Sequence, residues 1–455
     1  MNEIENKPDN GKAVDRITAI TIEGYKSIYD RQRIELRPLT VFAGANSSGK
    51  SSAIQPLLLM KQTLEASYDP GALLLNGPYV KFSSTDQLLS SYQIKQGHDF
   101  FAITIDGDAD VIKPTDRSTT FRFKKEIEQG FILEELTFNN WEGKYIFREN
   151  MREEDILKNL PARFTKLIQT LKPPFLMASP QISINREKCF FAVRIYYSGD
   201  EKKVELERLL EPARWIKPHL YNMIHLPGLR GNPERVYPTT AVGDPFPGLF
   251  QNYVASILNN WQKQKDTRLE KLSLQLESLG LTWKVAAKKI DDTSIELRVG
   301  RLARSEFRDE QDLVNIADVG LGISQVMPVL VALLIAEPGR IVYIEQPELH
   351  LHPSAQHKLA VIIAEASKRG VIVIIETHSS ILLLGIQALV AEGKLDKELV
   401  KLHWFSRAED GATKIDTADL DDEGAFGDWP EDFGKVELAA ESRYLDASIK
   451  FPPHN

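Results

Sequence analysis

Apolar and polar positions along the chain change their rhythm twice. Residues 1–13 are polar and read as a disordered tail. Short apolar blocks follow at Ile17–Glu23 and Thr40–Ala43, and both predict strands. Lys50–Ser67 carries Ile54, Leu57, Leu58 and Leu64 on one helical face and predicts a helix. Pro56 sits in its second turn, near the limit a helix start tolerates. Between Phe100 and Tyr197 the blocks become rich in aromatic and branched residues. Phe101–Ile105, Thr120–Phe123, Phe131–Phe138, Tyr145–Phe147 and Phe190–Tyr197 predict strands, with Glu153–Leu171 helical between them. Strands that follow one another without helices point to antiparallel pairing. Asn252–Leu279 predicts one long polar helix closed by Gly280, and its heptads are not sustained, so no long coiled coil is expected.

Beyond this point fully apolar blocks alternate with helical ones. Gln325–Ala336 predicts a helix, Arg340–Glu345 a buried strand and Ser354–Arg369 a helix capped by Gly370. Val371–Glu376 predicts a second buried strand, and Ser380–Glu392 another helix. Such alternation implies a parallel sheet covered on both faces. Asp416–Asn455 is acidic and loop-rich. The expected organisation is therefore a 1–13 tail, an N-terminal lobe at 14–135, an insertion of strands and helices at 136–310, a C-terminal lobe at 311–408 and an extension at 409–455.

Length supports more than one core: 455 residues exceed what a single hydrophobic core usually serves. The formal net charge of −8 argues against a globally basic nucleic-acid binder, though not against a local basic patch. Cys189 is the single cysteine, so no disulfide can form within the chain. It lies in the apolar-rich run Cys189–Val193 and reads as a core residue. The N-terminus has no apolar leader. The longest apolar run, Met327–Ala336, is about half of what a bilayer needs. A cytoplasmic protein with no membrane segment is expected.

Four motifs carry chemistry. Gly44-Ala-Asn-Ser-Ser-Gly-Lys-Ser51 matches the phosphate-loop pattern, and it follows a strand and opens a helix as that pattern requires. Glycines let backbone N–H groups turn inward toward phosphate, a lysine neutralises the outer phosphates, and a serine hydroxyl suits Mg²⁺. Gly44, Asn46, Ser47, Ser48, Gly49, Lys50, Ser51 and Ser52 are the candidate nucleotide-binding residues. The second motif is the strand Ile341–Glu345 followed by Gln346, Pro347 and Glu348; after a phosphate loop, Glu345 reads as a metal-directed carboxylate. His350 and His352 beyond it have no further ligand at metal spacing and read as a turn into the next helix. The third is Glu376-Thr377-His378-Ser379, where His378 lies at the carboxyl edge of the predicted sheet. The fourth is Asp318-Val-Gly320-Leu-Gly322-Ile-Ser324-Gln325, glycines and a serine at a helix start, another anion-ready segment.

In this order the motifs resemble the head of ABC-type ATPases of the RecF/SMC-like branch. The resemblance makes Gly44–Ser51 the Walker A loop, Gly320, Gly322 and Ser324 the signature loop, Ile341–Glu348 Walker B and His378 the switch histidine. It covers Ile17 to Ser67 and Asp318 to Ser380, and Ile22–Ile28 is similar to that branch's first strand. The nearest likeness is to stand-alone bacterial ATPases related to the overcoming-lysogenization-defect proteins, including Septu-type anti-phage ATPases. Leu75–Tyr79, Leu229–Arg235 and Asp428–Phe433 look like features of that group. Arg230 and Arg235 read either as phosphate- or interface-facing or as surface ion pairs.

The resemblance implies an α/β P-loop ABC ATPase head: a mixed β-sheet flanked by helices, plus an antiparallel β region and a helical and β insertion. It implies ATP and Mg²⁺, with Ser51 and Glu345 on the metal, and a homodimer or higher homo-oligomer that closes on ATP. In such a dimer Gly320, Gly322 and Ser324 of one head reach the γ-phosphate held by Lys50 of the other. Glu345, Gln346, Glu348 and His378 are the candidate catalytic residues. Two departures stand out. Gln346 occupies the place of the usual catalytic glutamate and cannot accept a proton from water, so Glu348 or Glu345 substitutes, or hydrolysis is slow and ATP acts as a clamp. The signature loop also lacks its usual serine, with Ser324 nearby. No spaced acidic clusters of a nuclease follow His378, so a nuclease or toxin effector is expected in a separate partner encoded nearby. The leading expectation is an ATP-driven switch in anti-phage defence. The alternatives are a DNA-repair or DNA-clamping ATPase that touches nucleic acid directly, and a nucleotide-binding scaffold with little hydrolysis.

Overall fold

The computed structural model describes residues 16–91, 97–108, 117–127, 130–170, 180–198, 203–301 and 310–427, with 442, 443 and 445. The 1–13 segment and Asp428–Phe433 lie outside the described residues. The chain divides into two compact units, one of Met1–Glu35 and Ser52–Met223, the other of Leu36–Ser51 and Ile224–Asn455.

The first unit is built on an antiparallel six-stranded sheet. Its order is Gln32–Glu35, Arg16–Glu23, Phe100–Asp108, Arg117–Glu126, Gly130–Asn140 and Gly143–Phe147. Alternation places Phe101, Ile103 and Ile105 of one strand and Phe121 and Phe123 of its neighbour in the core. Phe101 and Phe123 stack with ring centroids 5.2 Å apart, which adds cross-strand attraction to the burial. A three-stranded antiparallel sheet of Pro180–Glu187, Phe190–Ser198 and Lys203–Leu210 completes the strands of this unit, and Cys189 is buried as expected. Burial pushes the Cys189 thiol up to about 12, which makes it inert.

The second unit holds a six-stranded sheet. Its elements are β1 (Leu39–Gly44), β2 (Ile224–Leu226), β3 (Ile341–Glu345), β4 (Ile372–Glu376), β5 (Val400–Arg407) and β6 (Thr413–Ala418). Their spatial order is β2-β3-β4-β1-β5-β6. All neighbours are parallel except β5 and β6. The central strands are apolar throughout because both faces are covered. Helix α1 (Lys50–Glu65) begins in this unit with Lys50 and Ser51, and its remainder belongs to the first. Helix α2 (Leu321–Ile335) packs on β2 and β3. Helix α3 (Pro353–Lys368) packs on β4, β1 and the following α4 (Ser380–Ala391). A second, antiparallel sheet contains Tyr237–Pro238, Val285–Lys289, Ser294–Gly300 and Leu313–Asn315. The α/β fold with an added antiparallel region is the one expected.

Two expected helices are broken. Asn252–Leu279 contains separate helices Val254–Gln264 and Thr267–Ser278, because Lys265 turns left-handed at φ 54° and Asp266 caps the next helix through the Arg268 N–H. Glu153–Leu171 contains Glu153–Lys158 and Ala162–Thr170, with Pro161 starting the second. No helix among the described residues exceeds 16 residues, so no long coiled coil is present there. None is long and apolar enough to cross a membrane.

The Leu75–Tyr79 segment has a local role in the first unit. The buried Gln62 side chain on α1 donates to the carbonyls of Leu74 and Val80 and accepts from the N–H groups of Tyr79 and Val80. A Cβ at Gly77 would lie 2.5 Å from this amide, so a side chain there would displace Gln62 from these hydrogen bonds. Lys61 and Glu65 form a buried ion pair one turn apart, and Glu65 also accepts from the Tyr79 hydroxyl. Gln62→Ala would strip the side-chain partner from the Leu74 carbonyl and from the Tyr79 and Val80 N–H groups, of which the Val80 N–H is buried. It is expected to lower unfolding stability by about 3 kcal/mol in a urea titration.

Candidate functional site

Parallel strands deliver their C-terminal ends to one edge of the sheet, and the sequence-predicted residues of β1, β3 and β4 meet there. β1 ends at Gly44, with φ at +139°, and a Cβ there would run into the Phe405 carbonyl of β5. Glycine is thus required by close approach as well as by backbone angle. The loop then turns through Ser47 at φ +60° and Gly49 at φ +104° before α1 begins at Lys50. Its back is fastened by Arg407, which donates to the Ser47 carbonyl, and by the Thr413 hydroxyl, which donates to the Ser48 carbonyl. Asn46 and Ser47 are exposed. Ser48 is buried, and its hydroxyl makes no hydrogen bond within the described structure.

Lys50 is buried and donates to the carbonyls of Gly44 and Ala45, at 3.0 and 2.8 Å. Burial lowers its pKa, and the Glu376 charge opposes that shift. Ser51 donates to the Glu376 carboxylate at 2.9 and 3.1 Å. Ser52 occupies the next helical position and is half-buried.

Glu345 and Glu376 are register partners at the ends of β3 and β4. Their surroundings differ. Glu345 is gripped by His225 Nε2 at 3.0 Å and by the Gly228 N–H at 3.1 Å. Burial raises its pKa, but His225, the Gly228 N–H and Arg230 together outweigh that and hold it below the ordinary value. Glu376 accepts from Ser51 and from the buried Tyr343 hydroxyl at 2.9 Å. Burial, with the Glu345 charge adding to it, leaves Glu376 raised. His225 stacks on the Tyr343 ring, with centroids 5.2 Å apart, so one pair of rings supports both carboxylates.

Gln346 takes a left-handed backbone at φ 46°, unusual for a residue with a side chain. The turn is held by its N–H, which donates to the Glu376 carbonyl at 2.7 Å, and by its carbonyl, which accepts from Arg230. Arg230 is buried, neither on a surface nor at an exposed face. Its guanidinium donates to the carbonyls of Gln325, Glu345 and Gln346, so it ties the start of α2 to the end of β3. Burial lowers its pKa to about 10. Arg235 makes a surface pair, one of the two readings open from the sequence, with Asp318 at 2.6 Å.

Glu348 is half-buried. One oxygen accepts from the Thr377 hydroxyl at 2.8 Å and the His378 N–H at 3.0 Å, and the other, itself buried, has no partner among the described residues. Desolvation raises its pKa. His378 lies beside Lys50 and hydrogen-bonds the Gly44 backbone. Burial, followed by the Lys50 charge, lowers its pKa against the opposing effect of the Gly44 hydrogen bond. Gly320 is the N-cap of α2 without a side-chain cap and is exposed with Leu321. Gly322 and Ser324 are half-buried, and Ser324 Oγ donates back to the Leu321 carbonyl. His352 caps α3 by accepting from the Ser354 N–H, the helix-entry role expected for that segment.

Residue-level reading overlooked three parts of this edge. Glu376 was visible as an acid ending an apolar strand, the same signal that singled out Glu345. His225 and Gly228 had no such signal, because β2 is only three residues long. The arrangement offers curled backbone, a lysine and hard oxygen donors, a set suited to polyphosphate and to a cation of the Mg²⁺ kind. Among the described residues no group of three His, Cys, Asp or Glu side chains is disposed to hold a metal alone.

A phosphate loop at the carboxyl edge of a covered parallel sheet defines a P-loop nucleotide-binding ATPase. The chain belongs to the family described as "AAA domain, putative AbiEii toxin, Type IV TA system", whose model matches residues 39–384. A comparison with curated proteins gave no match. Similar solved structures include a Smc head bound to the C-winged helix domain of ScpA, at 13% identity over 89% of this chain and 98% of that one, TM-score 0.48. The SMC head domain from Thermotoga maritima is 12% identical over 88% and 98%, TM-score 0.41. The Pyrococcus furiosus Smc head with an extended coiled coil, bound to the C-terminal domain of ScpA, is 11% identical over 95% and 100%, TM-score 0.45.

Because the folded state raises the pKa of Glu348, it binds that proton more tightly than the unfolded chain does. The stability this residue contributes is present below the ordinary value of 4.5 and is lost as pH rises through the folded value. Glu348→Gln keeps an acceptor for Thr377 and His378 without the charge. It is expected to melt higher than the wild type at pH 7–8, with the difference vanishing as pH falls below the ordinary carboxyl range.

Proposed function

We propose that this protein is an ATP-operated switch that binds Mg-ATP at Gly44–Ser51, pairs with a second copy across the nucleotide and passes its state to an effector protein. The observation that carries the reading is the pairing of two features in one unit: the phosphate loop with buried Lys50, and a separate exposed, uncapped helix start at Gly320. A helix start with free N–H groups attracts anionic phosphate. When it belongs to another copy, it supplies a contact that exists only while the γ-phosphate is present, and such a contact biases an open–closed equilibrium.

In this reading Lys50 neutralises the outer phosphates, and the backbone of Asn46–Gly49 cradles them. Ser51 and the carboxylates at the strand ends hold the Mg²⁺, which neutralises phosphate charge during transfer. Glu348, with its raised pKa and unpartnered oxygen, is the base candidate closest in chemistry to the missing glutamate. Through its other oxygen it holds the Thr377–His378 segment, and in this reading His378 senses the γ-phosphate. The Gln346 amide accepts no proton, which makes turnover slow and the ATP state long-lived. Slow turnover suits a switch better than a motor. Anti-phage defence is the setting we favour, on the likeness of the motifs to Septu-type ATPases and on a family description that names a toxin. The effector is a nuclease or toxin made as a separate chain.

Light scattering with a non-hydrolysable ATP analogue tests the pairing. The wild type is expected to double in mass, and Lys50→Ala to stay single for want of nucleotide. Ser324→Arg is expected to bind nucleotide with wild-type affinity yet remain single. Unchanged mass in the wild type with nucleotide bound would refute the pairing.

A further inference from the structure

The carboxylate that reaches the phosphate-loop serine does not end the strand that motif reading assigns to the metal. Ser51 donates its hydroxyl proton to Glu376, at the end of β4, at 2.9 Å. Glu345, at the same register on β3, has both oxygens engaged by His225 and Gly228. A serine hydroxyl has one proton and two lone pairs. With the proton given to Glu376, the lone pairs stay available to a cation. Tyr343 donates to the same carboxylate at 2.9 Å and fixes its direction, the kind of outer support that metal-directed carboxylates receive.

We infer that Glu376, rather than Glu345, is the main protein carboxylate directed at the Mg²⁺ of bound ATP, acting together with Ser51. The inference rests on the Mg-ATP reading of the site. Glu345 then serves as a positioning residue, holding β2 and the Gly228 turn against β3 through His225. The segment Glu376-Thr377-His378 would also join two tasks on one short stretch, cation binding at its first residue and nucleotide sensing at its third. Cation occupancy and the position of His378 are thereby coupled through three consecutive residues.

Mn²⁺ in place of Mg²⁺ gives a readout independent of turnover. Free Mn²⁺ is followed by electron paramagnetic resonance, with the full chain and a non-hydrolysable ATP analogue. Nucleotide affinity is measured in parallel with EDTA. Glu376→Gln keeps hydrogen-bonding capacity for Ser51 and Tyr343 but loses the charge. It is expected to weaken Mn²⁺ binding by about tenfold or more, with nucleotide affinity in EDTA retained or tightened. Glu345→Gln is expected to lose clearly less. Wild-type Mn²⁺ affinity in Glu376→Gln, or a larger loss in Glu345→Gln, overturns the assignment while leaving the ATP site standing. If the wild type itself binds no nucleotide, the ATP reading falls, and this assignment with it. Should Glu376→Gln fail to fold, Glu376→Asp withdraws the carboxylate by one methylene and is expected to weaken Mn²⁺ in the same direction. Unchanged Mn²⁺ affinity there overturns the assignment equally.

Discussion

Two carboxylates, Glu345 and Glu376, end adjacent parallel strands at the same register, and holding both near a phosphate loop is the constraint around which this edge is organised. Like charges brought together and buried disfavour ionisation. The chain answers differently on each side. Around Glu345 it places His225, the Gly228 N–H and the charge of Arg230, which keep that group ionised. Around Glu376 it places two hydroxyls, from Ser51 and Tyr343, and the Lys50 ammonium. These compensations are partial for Glu376. A cation carried in by a nucleotide would complete them.

The rest of the second unit follows from delivering those groups. The parallel order β2-β3-β4-β1-β5-β6 brings the ends of β3, β4 and β1 side by side. The sheet therefore has to be buried on both faces, and its strands are correspondingly apolar. Arg230 extends the arrangement outward. It is buried at a cost in desolvation, and it is retained where three carbonyls from α2, β3 and the Gln346 turn converge. One side chain thus links the first turns of α2 to the end of β3.

Much of this was legible in the chain. The phosphate loop was complete and in its proper context, and the apolar runs of β3 and β4 with intervening helices announced a parallel sheet. The position of His378 at the sheet edge followed from that sheet alone. What escaped was non-local. Which of two strand-ending glutamates faces Ser51 depends on β2 capturing one of them, and β2 is three residues taken from a segment with no periodicity. Arg230 read as a surface or phosphate-facing group because nothing near it in sequence shows that three carbonyls converge on it. The breaks at Lys265 and Pro161 were local but weak, since a left-handed lysine has no sequence signature and a proline can open a helix as readily as end one.

In the proposed function the Gly44–Ser51 loop and the paired strand ends form a working ATP site. Steady-state ATP hydrolysis by the purified chain with Mg²⁺, with Lys50→Ala as the blank, tests it most directly. Slow, Mg²⁺-dependent turnover that disappears in the blank is expected. Turnover indistinguishable from the Lys50→Ala protein would contradict it.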